Sequence, residues 1–281
     1  MGITHLTFTK MHGLGNDFIV LDGRSGALGD LAALARTLCH RRFGVGADQV
    51  LVLEDSAVAD FRMLIYNADG SEVEMCGNGI RAFARYIWDR GMSGSDVLEV
   101  ETLAGIIRPA RAGEMVRVDM GRPELDGRKI PVAIDGPVVN YPLMAGDRAF
   151  ALTCVSMGNP HAVAYVDDLD EFPVEHYGPM IETNAIFPKR TNVEFITVLG
   201  RGEIRMRVWE RGTGETLACG TGACGAAVAS MVKGLVDRTV TVHLPGGDLV
   251  IEWAEADGRV YMTGPAVEVF QGTLTGLVRG A

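Results

Sequence analysis

The feature that most constrains this chain is an internal repeat at a fixed spacing of 143 residues. Two cysteines, Cys76 and Cys219, lie 143 positions apart in the nearly identical segments MCGNG (75–79) and ACGTG (218–222). The same spacing relates four further pairs: Gly15-Asn16 with Gly158-Asn159, Gln49 with Asn192, Asn67 with Glu210, and Gly91 with Gly234. The repeat predicts two copies of one domain, each supplying one thiol, which could face each other across a small substrate.

The hydrophobic pattern is also shared by the two copies, and it predicts an α+β fold. Strand-like segments precede each cysteine and a helical segment follows it, at residues 80–88 and 223–232. A shorter helix is predicted at residues 31–39, with Asp30 as its N-cap. We predict two pseudo-twofold-related domains, each a curved, mostly antiparallel sheet wrapped around a central helix. The predicted domains are residues 1–119 plus 265–281, which carry Cys76, and residues 120–264, which carry Cys219. The strand-like segments 267–270 and 273–278 are left over after the second copy, and we expect them to return to the first domain and complete its sheet.

Composition excludes several classes of protein. The formal net charge of −10 argues against a nucleic-acid partner, which requires a basic face. No segment approaches the roughly 18 apolar residues of a membrane helix, and residues 1–10 lack the pattern of a signal peptide. The five cysteines form no CxxC pair, so free thiols are expected. We therefore expect a cytoplasmic protein with no membrane partner.

The two repeat-related cysteines are suited to proton transfer at a carbon beside a carboxylate. Removal of such a weakly acidic proton requires a desolvated base on one face, and inversion requires an acid on the other. One thiolate and one thiol, at Cys76 and Cys219, would form that pair. Because each lies at the predicted N-terminus of a helix, we expect the helix dipole to lower the thiol pKa from about 8.5 towards neutrality.

Further side chains predict a polar pocket for a small zwitterion. The backbone N–H groups that open the two helices should bind a carboxylate, and they belong to Gly77, Asn78, Gly220 and Thr221. Five neutral amides would line the pocket: Asn16, Gln49, Asn67, Asn159 and Asn192. His161 and Glu210 are the candidates for tuning the thiols. Arg211 offers a guanidinium suited to a second carboxylate.

Two other kinds of site have weaker support. Residues 220–225 match the dinucleotide pattern GxGxxG, but the preceding predicted strand ends about ten residues before the glycines. A zinc site built from Cys219, Cys224 and either His161 or His243 lacks the usual ligand spacing. No lysine lies in a setting typical of a pyridoxal Schiff base. We therefore predict a mechanism without a cofactor and without a metal.

Motifs along the whole chain resemble those of the diaminopimelate epimerase family. They are MHGLGNDF (11–18), NADGSE (67–72), MCGNG (75–79), SMGNPH (156–161), ERGTGE (210–215) and ACGTG (218–222). The resemblance implies a pyridoxal-independent, two-base isomerase that interconverts LL- and meso-2,6-diaminopimelate for lysine and peptidoglycan synthesis. It also implies a homodimer, in which Phe270 stands where some members use a tyrosine at the subunit contact.

The resemblance further assigns roles to the candidate residues. Cys76 and Cys219 would be the acid–base thiols, and His161 and Glu210 would adjust them and hold the reacting amino group. The helix-opening residues would bind the reacting carboxylate: Gly77, Asn78, Gly220 and Thr221. The remaining polar residues would orient the rest of the substrate, with Arg211 at the distal carboxylate: Asn16, Gln49, Asn67, Asn159 and Asn192.

The nearest alternative is a proline or hydroxyproline racemase, which resembles this chain in fold and in its pair of thiols. In those enzymes the first cysteine is usually followed by Gly-His-Gly, whereas here Gly77-Asn78-Gly79 follows Cys76. Arg211 would also have no second carboxylate to bind. A nucleotide- or metal-binding protein is the alternative from another class.

Overall fold

The computed structural model describes residues 5–24, 26 and 28–275, which form four helices and eighteen strands. In chain order these are β1 (His5–Gly13), β2 (Asn16–Asp22), α1 (Leu31–Cys39), β3 (Gln49–Glu54), β4 (Phe61–Asn67), α2 (Gly77–Asp89), β5 (Val100–Thr102), β6 (Gly105–Ile107), β7 (Ala110–Ala112), β8 (Met115–Asp119), β9 (Tyr141–Ala145), β10 (Arg148–Ser156), β11 (Pro160–Tyr165), α3 (Val174–Glu182), β12 (Asn192–Gly200), β13 (Glu203–Glu210), β14 (Gly214–Thr216), α4 (Gly220–Val232), β15 (Thr239–Leu244), β16 (Gly247–Trp253), β17 (Val260–Gly264) and β18 (Val267–Thr275).

The chain divides into two compact units. The first unit comprises residues 1–118 and 264–281, and the second comprises residues 119–263. Whether each unit is a domain that folds independently stays a prediction.

Two predicted segments lie partly outside the described residues. They are residues 1–4 of the segment considered as a signal peptide and residues 276–278 of the C-terminal strand segment. Within the described part of the chain, no helix has the length and hydropathy needed to cross a membrane.

The sheet of the first unit has the strand order β18-β1-β2-β3-β4-β5-β6. β18 pairs antiparallel with β1, so the C-terminal segment completes this sheet, as the sequence predicts. Helix α2 packs against β1, β2, β3 and β18. It buries Ile80, Phe83 and Ile87, which recur at helical spacing and form its apolar face. Helix α1 begins where predicted, because the Asp30 carboxylate accepts a hydrogen bond from the backbone N–H of Ala33.

The second unit is built around helix α4. Its strands run in the order β9-β10-β11-β12-β13-β15-β16-β17, with β14 paired to β13. Helix α4 packs against β10, β11, β12, β13, β15 and β16. Because it is apolar on nearly all sides, it is buried from Ala223 to Ser230.

Helix α3 is not among the predicted elements, although both of its ends lie 143 positions after those of α1, so it is the repeat-related copy of that helix. Pro173 at its N-cap makes no side-chain capping hydrogen bond, and Pro179 lies inside it. A sequence without start signals and with an internal proline does not predict a helix. Packing against β9, β12, β13 and β14 stabilises it instead.

In both units, the strands near the cysteine-bearing helix pair in the same register, at positions 143 residues apart. Val50 pairs with Tyr66 across β3 and β4, and Val193 pairs with Trp209 across β12 and β13, 143 positions later. The parallel pairing of β2 with β3 is repeated in the same way by β11 and β12. Most other pairings are antiparallel. The predicted class, an α+β fold with a mostly antiparallel sheet and a central helix in each unit, is confirmed.

Candidate active site

In the first unit, the candidate thiol caps the N-terminus of helix α2. Cys76 has an extended backbone, with φ −138° and ψ 116°, and its Sγ accepts a hydrogen bond of 3.3 Å from the backbone N–H of Gly79. A Cβ at Gly79 would lie only 3.2 Å from the Cβ of Cys76, so glycine allows this close approach. Gly77 and Asn78 are the first two helical residues, at the end of the helix where N–H groups bind anions.

Asn16 links this thiol to the neighbouring polar side chains. Its Nδ2 donates to Asp48 Oδ2 over 2.8 Å, which turns the amide oxygen towards the helix. Asn16 Oδ1 then accepts from Asn78 Nδ2 at 3.2 Å and lies 3.9 Å from Cys76 Sγ. The sequence identified Asn16, Asn78 and Cys76, but it did not identify Asp48, whose carboxylate fixes the direction of the Asn16 amide.

Gln49 and Asn67 form a second polar pair, on adjacent strands of the same sheet. Gln49 Nε2 donates to Asn67 Oδ1 over 2.8 Å, and Asn67 Nδ2 donates to Ser71 Oγ over 3.0 Å. The Oε1 atom of Gln49 is buried and has no hydrogen-bond partner among the described residues. A buried acceptor of this kind destabilises the protein unless a donor reaches it, so it is a candidate ligand contact.

The Asn16 turn is supported by an ion-pair cluster at Asp17. The Asp17 carboxylate accepts from Lys10 Nζ at 2.6 Å and from Arg41 at 2.9 and 3.0 Å. Burial tends to raise the pKa of Asp17, but the hydrogen bonds from Arg41 and Lys10 outweigh it and lower the pKa to about 2.

We expect Asp17→Asn to reduce the free energy of unfolding by about 1 kcal/mol at pH 7, after allowance for solvent screening. Because the folded-state pKa is lowered, this stabilisation is fully present above the ordinary aspartate pKa and is lost as the pH falls towards 2. Urea unfolding of both proteins between pH 7 and pH 2.5 measures the difference. If the difference in free energy of unfolding between the two proteins stays constant over this pH range, the pKa of Asp17 is not lowered in the folded state.

In the second unit, Cys219 repeats the geometry of Cys76. It is the N-cap of α4, with φ −130° and ψ 111°, and its Sγ accepts from the backbone N–H of Gly222 at 3.4 Å. The hydroxyl of Thr221 lies 3.5 Å from the same sulfur. Gly220 and Thr221 open the helix, in the positions that Gly77 and Asn78 occupy in α2.

The expected lowering of the thiol pKa is wrong for Cys219. Burial raises its pKa well above the ordinary value, and the carboxylates of Glu210 and Glu194 raise it further. Hydrogen bonds from Thr221 and Gly222 act in the opposite direction but do not compensate. The two effects differ in size. A helix end stabilises a nearby charge by about 0.3–1 kcal/mol, which lowers a thiol pKa by less than about one unit. Full burial can raise the pKa by up to about 3–5 units.

His161 is held between a carboxylate and an amide, and it is fully buried. Its Nδ1 lies 2.6 Å from Glu194 Oε1, and its Nε2 lies 2.9 Å from Asn159 Oδ1. Glu194 is also fully buried, and burial raises its pKa while His161 lowers it. The sequence did not identify Glu194, although a carboxylate inside the apolar run of strand β12 was a usable signal.

Arg211 follows strand β13 and is anchored through its backbone and its side chain. Its backbone N–H donates to Asn192 Oδ1 over 2.9 Å, and its Nη1 donates to the carbonyl of Lys189 over 3.2 Å. Asn192 Nδ2 donates in turn to the carbonyl of Pro160 over 2.9 Å. The structure therefore brings Arg211 and Asn192 together, and Asn192 holds the turn that carries the guanidinium.

A buried carboxylate, Glu182, stabilises the same turn from α3. It accepts from the backbone N–H of Gly212 at 3.0 Å and from Trp209 Nε1 at 2.7 Å. Glu210 lies between these two residues, and its Oε1 accepts from Thr216 Oγ1 at 2.5 Å. The unpredicted helix α3 is thus part of the support for Glu210 and Arg211.

Phe270, the predicted subunit contact, lies on β18, the strand at one end of the first sheet. Its ring is 46% exposed and meets Phe8 edge-on, with 5.8 Å between the ring centroids. Val267 and Val269 on the same strand are also exposed. A role in dimerisation stays a prediction.

Sequence comparison relates this chain to proteins of one named family over almost its whole length. The profile of the family described as diaminopimelate epimerase matches residues 8–125 and 153–269. The chain is 56% identical to the diaminopimelate epimerase of Moorella thermoacetica over 272 residues, which cover 94% of this chain and 98% of that protein.

Comparison of folds gives more distant neighbours. A phenazine biosynthesis protein of the PhzF family from Bacillus anthracis matches with a TM-score of 0.71 and 17% identity, over 97% of this chain and 99% of that one. A hydroxyproline epimerase from Agrobacterium vitis matches with a TM-score of 0.68 and 14% identity, over 99% and 95%. At such low identity these neighbours establish the fold alone.

Proposed function

The chain belongs to the diaminopimelate epimerase family, a family of isomerases, and on this premise we propose that it interconverts LL- and meso-2,6-diaminopimelate without pyridoxal phosphate. The reaction would serve lysine and peptidoglycan synthesis in the cytoplasm. The observation that carries the proposal is that two repeat-related thiols each cap a helix whose first N–H groups suit a carboxylate.

We propose that Cys76 and Cys219 act on opposite faces of the substrate Cα. A thiolate takes the Cα proton and becomes a thiol, while the other thiol gives its proton to the opposite face and becomes a thiolate. Negative charge that develops on the substrate carboxylate is stabilised by the helix-opening N–H groups. The raised pKa of Cys219 keeps this thiol protonated, as the acid of the pair must be when a turnover begins.

We assign the remaining candidate residues to binding and tuning. His161 and Glu210 adjust the thiols and hold the reacting amino group, while Gly77, Asn78, Gly220 and Thr221 bind the reacting carboxylate. The amides orient the rest of the substrate: Asn16, Gln49, Asn67, Asn159 and Asn192. Support for these assignments comes from the contacts within each unit, which direct Asn16 towards Cys76 and fix Asn192 beside Arg211.

We also propose that the protein is a homodimer with Phe270 at the contact. The support is an edge strand with exposed Val267, Val269 and Phe270, because unpaired, apolar sheet edges favour association.

The proposed reaction is tested with reduced protein, without added pyridoxal phosphate, on three substrates. Formation of meso-2,6-diaminopimelate from the LL isomer, followed by proton NMR, is the expected result. Racemisation of proline or hydroxyproline instead would retain the two-thiol chemistry but assign a different substrate. A thermal shift with NAD, ATP or zinc and no turnover of any amino acid would refute the proposal.

Arg211→Ala is expected to weaken binding of diaminopimelate by about 10- to 100-fold, because a charge-assisted hydrogen bond to the distal carboxylate is lost. Binding of an analogue without the distal carboxylate should change less than threefold. Lys189→Ala is the matched control, since it removes a neighbouring positive charge but keeps the carbonyl that Arg211 contacts. Equal losses for both ligands would show that Arg211 does not bind the distal end.

A further inference from the structure

The two units differ in chemistry at one repeat-related position. In the first unit, Phe18 and Leu51 lie on the paired strands β2 and β3 and are fully buried. The residues 143 positions later, on β11 and β12, are His161 and Glu194, which are equally buried. A site that is apolar in one unit is therefore occupied by an ionisable pair in the other.

The hydrogen bonds of His161 fix where its protons lie. An amide oxygen only accepts, so the Nε2 atom that lies 2.9 Å from Asn159 Oδ1 must carry a hydrogen. On the other side, Nδ1 either donates to the Glu194 carboxylate or accepts from its protonated form, across 2.6 Å. In both cases the pair shares one proton, carries no net charge and directs an N–H towards Asn159.

Helix α4 is glycine-rich where it passes this pair. A Cβ at Gly222 would lie 2.8 Å from Glu194 Oε1, and a Cβ at Gly225 would lie 3.1 Å from His161 Cβ. The residue that corresponds to Gly225 in the first unit is Ala82. Glycine at 225 therefore leaves room for the His161 side chain to pack directly against the backbone of helix α4.

The pair is not explained by packing. Glu194 Oε2 is buried and has no hydrogen-bond partner among the described residues, which destabilises the folded state. Phe18 and Leu51 fill the corresponding space in the first unit without any polar atom. What the Glu194 carboxylate adds is a fixed orientation of His161, and through His161 of the Asn159 amide.

We propose that Glu194 is a positioning residue that, through His161, holds Asn159 with its amide oxygen towards the imidazole and its NH2 group directed to an anionic group of the substrate. This proposal rests on the proposed function only for the identity of that substrate. The half-buried Asn159 makes the contact, and Glu194 itself touches no substrate atom.

The repeat-related asparagine of the first unit has the opposite orientation. Asn16 is held through its Nδ2 by Asp48 and presents its oxygen to Asn78 and Cys76. Asn159 is held through its oxygen and presents its NH2 group. The first unit thereby presents an acceptor at this position, whereas the second presents a donor, which suits an anionic group.

A double-mutant cycle between Glu194→Leu and Asn159→Ala tests the proposal. Each single change should raise KM about tenfold, because one directed hydrogen bond to substrate is lost. The double variant should have the KM of Asn159→Ala alone, since Glu194 acts on substrate binding through that amide. The comparison is made on KM and not on kcat, because the Glu194 carboxylate also raises the pKa of the Cys219 thiol. Glu194→Gln should stay within about threefold of the native KM, because its NH2 group can still donate to His161 Nδ1.

Additive losses in the cycle would overturn the proposal, as would a native KM in Glu194→Leu. A second readout uses no substrate: the Asn159 NH2 protons, identified by their loss in Asn159→Ala, should shift in NMR spectra of Glu194→Leu and not of Glu194→Gln. Unshifted protons would refute the positioning role even if diaminopimelate is the substrate. Should Glu194→Leu not fold, His161→Phe/Glu194→Leu replaces it, and the shift of the Asn159 NH2 protons is then the readout; unshifted protons in this variant would overturn the proposal.

Discussion

Replacing either Cys76 or Cys219 with serine is expected to lower the turnover of LL-2,6-diaminopimelate by at least about 100-fold. A positioned acid or base contributes roughly 10²- to 10⁴-fold to such reactions, and a serine hydroxyl is a far weaker acid than a thiol. Both variants should keep the native fold, because serine can still accept the N-cap hydrogen bond that Gly79 or Gly222 donates. The measurement is the initial rate in both directions, from the LL and from the meso isomer.

Cys39→Ala is the control for loss of a thiol that takes no part in the reaction. Cys39 ends helix α1 in the core of the first unit, where burial raises its pKa to about 11. This variant should turn over substrate at nearly the native rate. Near-native turnover in either Cys76→Ser or Cys219→Ser would instead contradict the two-base scheme.

His161→Phe alone is expected to reduce the free energy of unfolding by about 3–5 kcal/mol, because it leaves the buried Glu194 carboxylate without its partner. His161→Phe/Glu194→Leu should recover most of that loss, since it installs the two side chains that pack at the related site of the first unit, Phe18 and Leu51. Replacement of a buried ion pair by well-packed apolar residues is often neutral or stabilising.

Urea unfolding of the native protein, both single variants and the double variant measures this coupling. In His161→Phe the unpaired Glu194 binds a proton in the folded state at pH values where the unfolded chain does not. Its stability should therefore fall further as the pH rises from about 5 to 8. The double variant His161→Phe/Glu194→Leu should be folded and nearly inactive. Its free energy of unfolding should not fall over this pH range. Additive single losses would show that the two side chains do not act as a pair.

Much of the fold follows from the sequence, because the repeat and the hydrophobic pattern report the same physical units. The structure contains the three helices that the sequence predicts. Their signals are the N-cap Asp30 for α1, the apolar face of α2 and the apolar composition of α4. The Gly-x-Gly context and the helical spacing of the residues that follow place Cys76 and Cys219 at helix N-termini. The residues left over after the second copy predict that the C-terminal segment joins the first sheet, and the structure pairs it with β1.

The local sequence pattern does not reveal helix α3, because the helix contains Pro179 and lacks a capping side chain. The repeat does contain a signal for it, since both ends of α3 lie 143 positions after those of α1. The repeat comparison did not identify Glu194, because it finds positions at which the two copies carry similar residues. The position that corresponds to Glu194 in the first copy is Leu51. The raised pKa of Cys219 depends on tertiary structure, since burial and the carboxylates of Glu210 and Glu194 exceed the local helix-end effect.

The most direct test of the two-base scheme is the position of deuterium after the first turnovers in D2O. Protonated LL-2,6-diaminopimelate is mixed with reduced protein, and both isomers are isolated at low conversion for mass spectrometry and NMR. If one thiol removes the proton and the other delivers a solvent-derived deuteron, the new meso isomer carries deuterium at the inverted carbon while the remaining LL isomer keeps its proton. Product that retains the original proton, or equal deuterium in both isomers, would contradict the scheme.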